Sequence, residues 1–221
     1  RAIPENEAVS TASSIPEQVR ANGGTKMIDE LQQKHFNVKY LGWTSGGDRF
    51  RIYMKNAPKF NAVGLPDFSG VKMRDNPIYG AFLKALNAST HPLPSSAVFG
   101  ALEKGVVEAS AWATNGLKGL KWDKFLRHAV DADFYRTDLG WIMNLDKWNG
   151  LSAKAKGIIQ NSVIEQEVIN AAQLSAMAVK EKATLIKEGM KFHAVPAKDK
   201  YLKMAVDSAY ERMIARLKKA G

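Results

Sequence analysis

The segment that decides the fold runs from residue 69 to residue 112. It opens with Ser69-Gly70-Val71-Lys72-Met73-Arg74 and closes with Gly105-Val106-Val107-Glu108-Ala109-Ser110-Ala111-Trp112. The apolar residues before Arg74 and before Trp112 predict a short strand that ends at each of them. A guanidinium can hold a carboxylate through two parallel N–H groups, and an indole can cover the organic part of the same ligand. The segment therefore predicts capture of a small anion.

Outside this segment, strands and helices alternate along the chain. Alternating or apolar runs predict strands at 36–43, 49–54, 71–74, 106–112 and 139–144. Helical spacing between glycine and proline stops predicts helices at 14–33 with a break at 23–24, from residue 77, and at 97–104, 115–128, 152–189 and 198–218. This order predicts an α/β fold with a largely parallel sheet. Ligands of such sheets bind at the carboxyl ends of strands, where Arg74 and Trp112 are expected.

Composition limits the class of protein. The chain has 221 residues, 45% of them hydrophobic, which is enough for one sizeable core or two small lobes. No run approaches the roughly 20 consecutive apolar residues that a membrane-spanning helix needs. The sequence contains no cysteine, which excludes disulfides, thiolate metal sites and cysteine nucleophiles.

A nucleic-acid-binding module is the alternative function. The 32 lysines and arginines against 22 acids give a formal net charge of +10, which favours acidic partners. However, these basic residues are dispersed along the chain and match no nucleic-acid-binding signature. We therefore predict no nucleic-acid partner.

An enzyme is a third class, and the sequence gives it little support. Asp131 and Asp133 could form a carboxylate pair, but no other residue pattern accompanies them. The histidines are far apart in sequence and lack metal-ligand spacing: His35, His91, His128 and His193. We therefore predict no catalytic residue, no metal and no cofactor.

Three segments, in this order, resemble the solute-binding proteins of tripartite ATP-independent periplasmic (TRAP) transporters, of the dicarboxylate-binding DctP type. Residues 66–77, PDFSGVKMRDNP, resemble the family's Asp-Leu-Lys-Gly-Leu-Lys-hydrophobic-Arg signature. Residues 87–109, NASTHPLPSSAVFGALEKGVVEA, resemble its Gly-Ala-x-Pro motif and the Ala-Leu-Gln-x-Gly-x-Val-Asp-Gly run that follows. Residues 143–160, MNLDKWNGLSAKAKGIIQ, resemble the segment that leads into its long helix. The resemblance covers nearly all of residues 36–219.

The resemblance implies which residues bind the substrate. Arg74 matches the signature arginine, which forms the main salt bridge to the substrate carboxylate. Arg49 is the best match to a second family arginine, and Arg51 competes with it because both project from the same side of one strand. In the family, the position of Trp112 lies over the ligand. A tryptophan there resembles the subgroup that binds 2-oxo acids and related monocarboxylates.

Further pocket residues are implied by a loop that contributes to the site in relatives. Here that loop contains Tyr135 and Asp138. Glu108-Ala109 stands where the family commonly has Asp-Gly, so the identity of the organic acid and the presence of a cation beside it stay open.

The resemblance also implies an α/β, periplasmic-binding-protein-like two-lobe fold with a long bracing helix and an incomplete first lobe. The expected parts are the remainder of lobe I (1–48), ligand-binding lobe II (49–138), a crossover strand and linker (139–151), the bracing helix (152–189) and a C-terminal helical segment (190–221). Family members begin with a further region, so we expect an N-terminal truncation. Exposed sheet edges of such a fragment would favour a homodimer.

The expected function follows from the same resemblance. The two lobes close on a small organic acid in the periplasm, and the closed protein delivers it to the membrane permease subunits of a TRAP transporter. No catalysis is expected.

Overall fold

The computed structural model describes Thr11 and residues 15–220 of the chain. Among these residues, no helix is both long enough and apolar enough to cross a membrane. The elements follow in chain order as α1 (Pro16–Ala21), α2 (Gly24–Phe36), β1 (Val38–Trp43), β2 (Arg49–Met54), β3 (Lys59–Phe60), β4 (Pro66–Asp67), β5 (Lys72–Asp75), α3 (Gly80–Ala85), β6 (Ser89–Pro92), α4 (Ser95–Glu103), β7 (Ala109–Ala113), a 3-10 helix (Trp122–Lys124), β8 (His128–Val130), β9 (Phe134–Arg136), β10 (Gly140–Asn144), α5 (Leu145–Asn149), α6 (Ala153–Lys187), β11 (Lys191–His193) and α7 (Lys198–Ala220).

The described residues divide into two compact units. The first contains the chain up to Asp48 together with Arg136–Ala176, and the second contains Arg49–Tyr135 together with the residues from Met177 onward. Helix α6 therefore contributes residues to both units. The lobe boundaries inferred from the sequence stay predictions.

The second unit is built on a seven-stranded mixed sheet. Its strand order is β11-β8-β2-β7-β5-β6, and β9 also pairs with β2. Strand β5 is parallel to both β6 and β7, and β11 is parallel to β8. The prediction of a largely parallel sheet is confirmed for β11, β8, β7, β5 and β6, which all run in one direction. Strand β2 departs from it, because it runs antiparallel to its neighbours β7 and β8. The order of helices and strands in the sequence does not reveal this reversal.

An apolar core covers each face of this sheet, because alternate residues of a strand point to opposite faces. One core packs β2 against α3 and α7, with Phe50, Ile52, Met54, Phe82 and Tyr201 among its residues. The other packs the sheet against α4, the end of α6 and the segment before β8, with Tyr53, Val98, Leu117, Trp122 and Leu185 among its residues. The strand predicted at 49–54 is confirmed, and so is its division into two faces.

The first unit pairs β1 with β10 in an antiparallel two-stranded sheet. Glu167 of α6 accepts hydrogen bonds from Nε and Nη2 of Arg20, at 3.0 and 2.8 Å, and from the backbone N–H of Trp43 at 2.7 Å. The loop after β1 approaches α6 so closely that a Cβ on Gly47 would lie 2.0 Å from the Ala171 carbonyl oxygen. Only glycine fits at this contact.

The helix predicted at 115–128 is wrong. The chain turns there, because Gly116 adopts φ +91° and Lys121 adopts φ +60°, both in the left-handed region. Glu181 of α6 accepts the backbone N–H groups of Gly116 and Lys118 at 2.7 and 3.1 Å, so a side chain more than sixty residues away stabilises the turn. The apolar residues of this segment fill the second core instead of one face of a helix.

Candidate anion-binding site

Arg74 and Trp112 lie on the same face of the sheet in the second unit. Arg74 of β5 is paired with Ser110 of β7, and Trp112 of β7 is paired with Arg51 of β2. Residues that pair directly across neighbouring strands share a face, and Ser110 and Trp112 are two positions apart on one strand. The sheet therefore brings together three of the predicted site residues: Arg51, Arg74 and Trp112.

The Arg74 guanidinium is buried and held by neutral groups. The residue is 4% exposed. Its Nε donates a hydrogen bond to the Leu93 carbonyl at 3.0 Å, and its Nη1 donates to the hydroxyl of Tyr79. Its Cζ lies 5.7 Å from the ring centroid of Trp112. Within the described part of the chain, Arg74 forms no salt bridge with a carboxylate.

Asp75 is the acid next to Arg74 in the chain. Their charges attract, but within the described part of the chain the two side chains form no salt bridge. Burial raises the pKa of Asp75, although Lys84 and Arg74 both act in the opposite direction. A buried guanidinium with only neutral partners loses its hydration without gaining an ionic partner. This arrangement favours an anion at Arg74.

Trp112 lies beside Arg74 and is partly exposed. Its ring packs edge-on against buried Trp122, with centroids 4.8 Å apart and an angle of 62° between the planes. The turn that follows β7 is the one stabilised by Glu181. The indole is thus fixed on one side by the core, and part of it remains open to a ligand.

The two arginines of β2 differ from Arg74. Arg51 is 5% exposed and donates two hydrogen bonds to Asp133, and its Cζ lies 5.2 Å from the Phe192 ring centroid. Arg49 lies two positions earlier on the same strand, and its carbonyl accepts a hydrogen bond from the Thr114 N–H at 2.7 Å. Arg51 therefore has an internal ionic partner.

Tyr135 and Asp138 belong to different units of the chain. Tyr135 belongs to the core on the α3–α7 side, and its hydroxyl donates to the Ala205 carbonyl. Asp138 belongs to the first unit, where its charge contributes to the raised pKa of Tyr40, behind burial and Glu167. The roles inferred for these two residues stay predictions.

The structure adds contacts that the sequence analysis missed. Tyr79 and the Leu93 carbonyl hold Arg74, and Asp133 pairs with Arg51. Tyr79 follows Arg74 by only five residues, so proximity alone could have suggested it. His128 and His193, far apart in sequence, form a hydrogen bond of 2.9 Å between Nδ1 and Nε2. Among the described residues, no group of three or more metal-ligating side chains is found.

A family model described as "Bacterial extracellular solute-binding protein, family 7" (DctP) matches residues 16–217. The chain is 24% identical over 206 residues to the "Monocarboxylate 2-oxoacid-binding periplasmic protein" of a Nostoc species, covering 86% of this chain and 54% of that protein. It is 25% identical over 149 residues to the "C4-dicarboxylate-binding periplasmic protein DctP" of Rhodobacter capsulatus, covering 66% of this chain and 42% of that one. The chain thus spans about half the length of the curated relatives it matches.

Solved structures share the fold. A TRAP periplasmic solute-binding protein of Sulfitobacter sp. NAS-14.1 with bound β-D-galacturonate superposes with a TM-score of 0.80 at 14% identity, covering 97% of this chain and 72% of the other. A TRAP protein of Pseudomonas putida F1 with bound D-glucuronate gives a TM-score of 0.78 at 19% identity, covering 97% and 71%. At these identities the likeness concerns the fold alone.

Proposed function

Since the chain belongs to bacterial extracellular solute-binding protein family 7, we propose that it captures a small organic acid and delivers it to the permease subunits of a TRAP transporter. The protein works in the periplasm and performs no chemical conversion. The observation that carries this proposal is the buried Arg74 guanidinium, whose hydrogen-bond partners in the described part of the chain are both neutral. A guanidinium carries a positive charge and offers two parallel N–H groups that match the two oxygens of a carboxylate.

The acid presents one carboxylate to this face of the sheet. Of the two buried arginines there, Arg51 is already paired with Asp133, whereas Arg74 forms no ion pair with an acid among residues 15–220. Trp112 covers the organic part of the ligand, and Arg49 is a secondary polar contact. A 2-oxo acid or a related monocarboxylate fits this arrangement. The name of the Nostoc relative supports the same class.

Calorimetric titration tests the proposal. The panel contains acetate, pyruvate, 2-oxobutanoate, succinate and glucuronate, and it is applied to the wild type and to three variants. Arg74→Ala removes the guanidinium, and Arg74→Lys keeps the charge but loses the two-pronged geometry. Lys72→Ala is the matched control, since it removes an exposed cation from the same strand.

The expected result is binding of at least one monocarboxylate by the wild type and by Lys72→Ala. Arg74→Ala abolishes this binding, and Arg74→Lys weakens it. Equal binding by the wild type and Arg74→Ala would contradict the proposal. So would a wild type that binds no acid of the panel.

A further inference from the structure

Two successive hydrogen bonds, through the Tyr79 hydroxyl, fix the Arg74 side chain. Nη1 of Arg74 donates to the Tyr79 hydroxyl, and that hydroxyl donates to the Ala111 carbonyl at 2.8 Å. The direction of these bonds is unambiguous, because an arginine can only donate and a carbonyl can only accept. The Leu93 carbonyl accepts from Nε of the same guanidinium at 3.0 Å. Tyr79 thus links Arg74 of β5 to the backbone of β7.

Tyr79 itself has little freedom to move. It is fully buried, and its ring packs edge-on against Phe50 and Phe134 at centroid distances of 5.3 and 6.2 Å. Burial raises the pKa of Tyr79, and Arg74 opposes this effect only in part. The hydroxyl therefore stays protonated and keeps both of its hydrogen bonds. The aromatic core holds the hydroxyl, and the hydroxyl holds the guanidinium.

The N–H donors of Arg74 that these two hydrogen bonds leave over could bind a carboxylate. A guanidinium has about five N–H donors, and the bonds to Leu93 and Tyr79 use one on Nε and one on Nη1. The donors left over are on Nη1 and Nη2, the two terminal nitrogens. A carboxylate needs two such donors in one plane and in one direction. A side chain that is already fixed loses less conformational entropy when it binds.

We propose that Tyr79 is a positioning residue: it orients the Arg74 guanidinium and thereby gives the site its preference for a planar carboxylate over a spherical anion. This inference rests on the proposed function of Arg74. A freely rotating arginine would still offer a positive charge, and a halide would bind to it in any orientation. An oriented arginine favours an anion whose two oxygens match its two donors.

The test compares pyruvate with bromide in NMR chemical-shift titrations of the wild type and Tyr79→Phe. This substitution removes the hydroxyl and keeps the ring in the core. The Kd for pyruvate is expected to rise by up to about tenfold, because an arginine that is no longer fixed loses more conformational entropy when it binds the carboxylate. The Kd for bromide is expected to change much less, so the ratio of the two affinities falls.

Tyr201→Phe is the matched control. Tyr201 is a fully buried tyrosine of the same core, and its hydroxyl has no hydrogen-bond partner among the described residues. The same chemical change there should leave both affinities unchanged. If Tyr201→Phe weakened pyruvate binding as much as Tyr79→Phe, general loosening of the core would explain the result and the inference would be overturned.

The outcomes separate this inference from the proposed function. Tyr79→Phe with wild-type affinities, or with equal losses for pyruvate and bromide, overturns the role of Tyr79 while Arg74→Ala still abolishes binding. Failure of the wild type to bind pyruvate, or unchanged binding by Arg74→Ala, overturns the proposed function and this inference together.

Discussion

Arg51 donates hydrogen bonds to both carboxylate oxygens of Asp133, at 2.6 and 2.8 Å. The Arg51 side chain is 6% exposed and the Asp133 side chain 29% exposed, so the pair lies at the margin of the core. Arg74, on the same face of the sheet, forms no such ion pair with any residue that the structure describes. The two guanidiniums therefore differ: Arg51 forms an internal ion pair, and Arg74 donates its hydrogen bonds to the neutral Leu93 carbonyl and Tyr79 hydroxyl.

Removal of Asp133 should destabilise the second unit. Asp133→Ala leaves the Arg51 charge buried without its partner. We expect a loss of about 2–3 kcal/mol in the free energy of unfolding, below the cost for a fully buried pair because Asp133 keeps some contact with water. Urea denaturation measures it. Asp207→Ala breaks the exposed pair with Lys203 and should have little effect. Equal effects of the two substitutions would contradict this interpretation of Arg51.

Trp112 should report ligand binding directly. If its exposed part covers the organic acid, binding of pyruvate changes the intrinsic tryptophan fluorescence, and Trp112→Phe removes most of that change. Trp112→Ala should raise the Kd about tenfold, through the loss of the aromatic contact. Trp148→Phe, in the first unit, is the control and should keep the signal. A full signal in Trp112→Phe would place the ligand elsewhere.

Glu167 should be the least replaceable acid of the first unit. Its side chain is 3% exposed, and it binds both the Arg20 guanidinium and the Trp43 backbone N–H. Glu167→Ala is expected to cost about 3–5 kcal/mol, because it leaves a charge and a buried donor without a partner. Glu167→Gln keeps an acceptor and should cost less.

Hydrogen exchange of the β1 amides locates the effect of Glu167 within the first unit. Glu30→Ala breaks only the exposed 3.7 Å pair with Lys26, and its exchange rates should match the wild type. Wild-type protection of β1 in Glu167→Ala would show that this carboxylate is dispensable.

His128 should make stability depend on pH. Burial, followed by repulsion from His193, Lys191 and Arg127, lowers the pKa of His128 in the folded protein. The unfolded chain then binds a proton at a higher pH than the folded chain does. Stability is therefore complete above the ordinary histidine pKa of about 6.5 and is lost as the pH falls through that value toward the folded pKa.

Urea unfolding between about pH 5 and pH 7.5 checks this dependence. His128→Gln should flatten the profile over that range. His35→Gln changes an exposed histidine of the first unit and should keep the wild-type slope. Parallel profiles for the wild type and His128→Gln would exclude His128 as the cause.

Much of the fold could be predicted because its signals are local. The alternation of apolar and polar residues identified β2, and the absence of proline between Ser152 and Gly189 identified the long helix α6. The helix predicted at 115–128 was wrong because the structure of this segment depends on a contact that is not local. Trp122, Phe125 and Leu126 have helix-like spacing, but the turn depends on Glu181, which is distant in sequence.

For the candidate site, the positions of residues on strands could be predicted from the sequence, whereas their contacts with distant elements could not. Strand ends pointed to Arg74 and Trp112, because each follows an apolar run. The ion pair of Arg51 could not be predicted, since it depends on β9 placing Asp133 near β2. Nor could the burial of Tyr135, whose hydroxyl reaches a carbonyl of α7 seventy residues later in the chain. Contacts between distant elements determine the environments of Arg51 and Tyr135, and the sequence pattern contains no information on those contacts.

The most direct measurement is a crystal structure of the protein with pyruvate bound. We expect a carboxylate oxygen about 2.7–2.9 Å from a terminal nitrogen of Arg74, with the bonds from Arg74 to Tyr79 and Leu93 retained. An ordered pyruvate bound away from Arg74, with this guanidinium still contacting only its neutral partners, would contradict it.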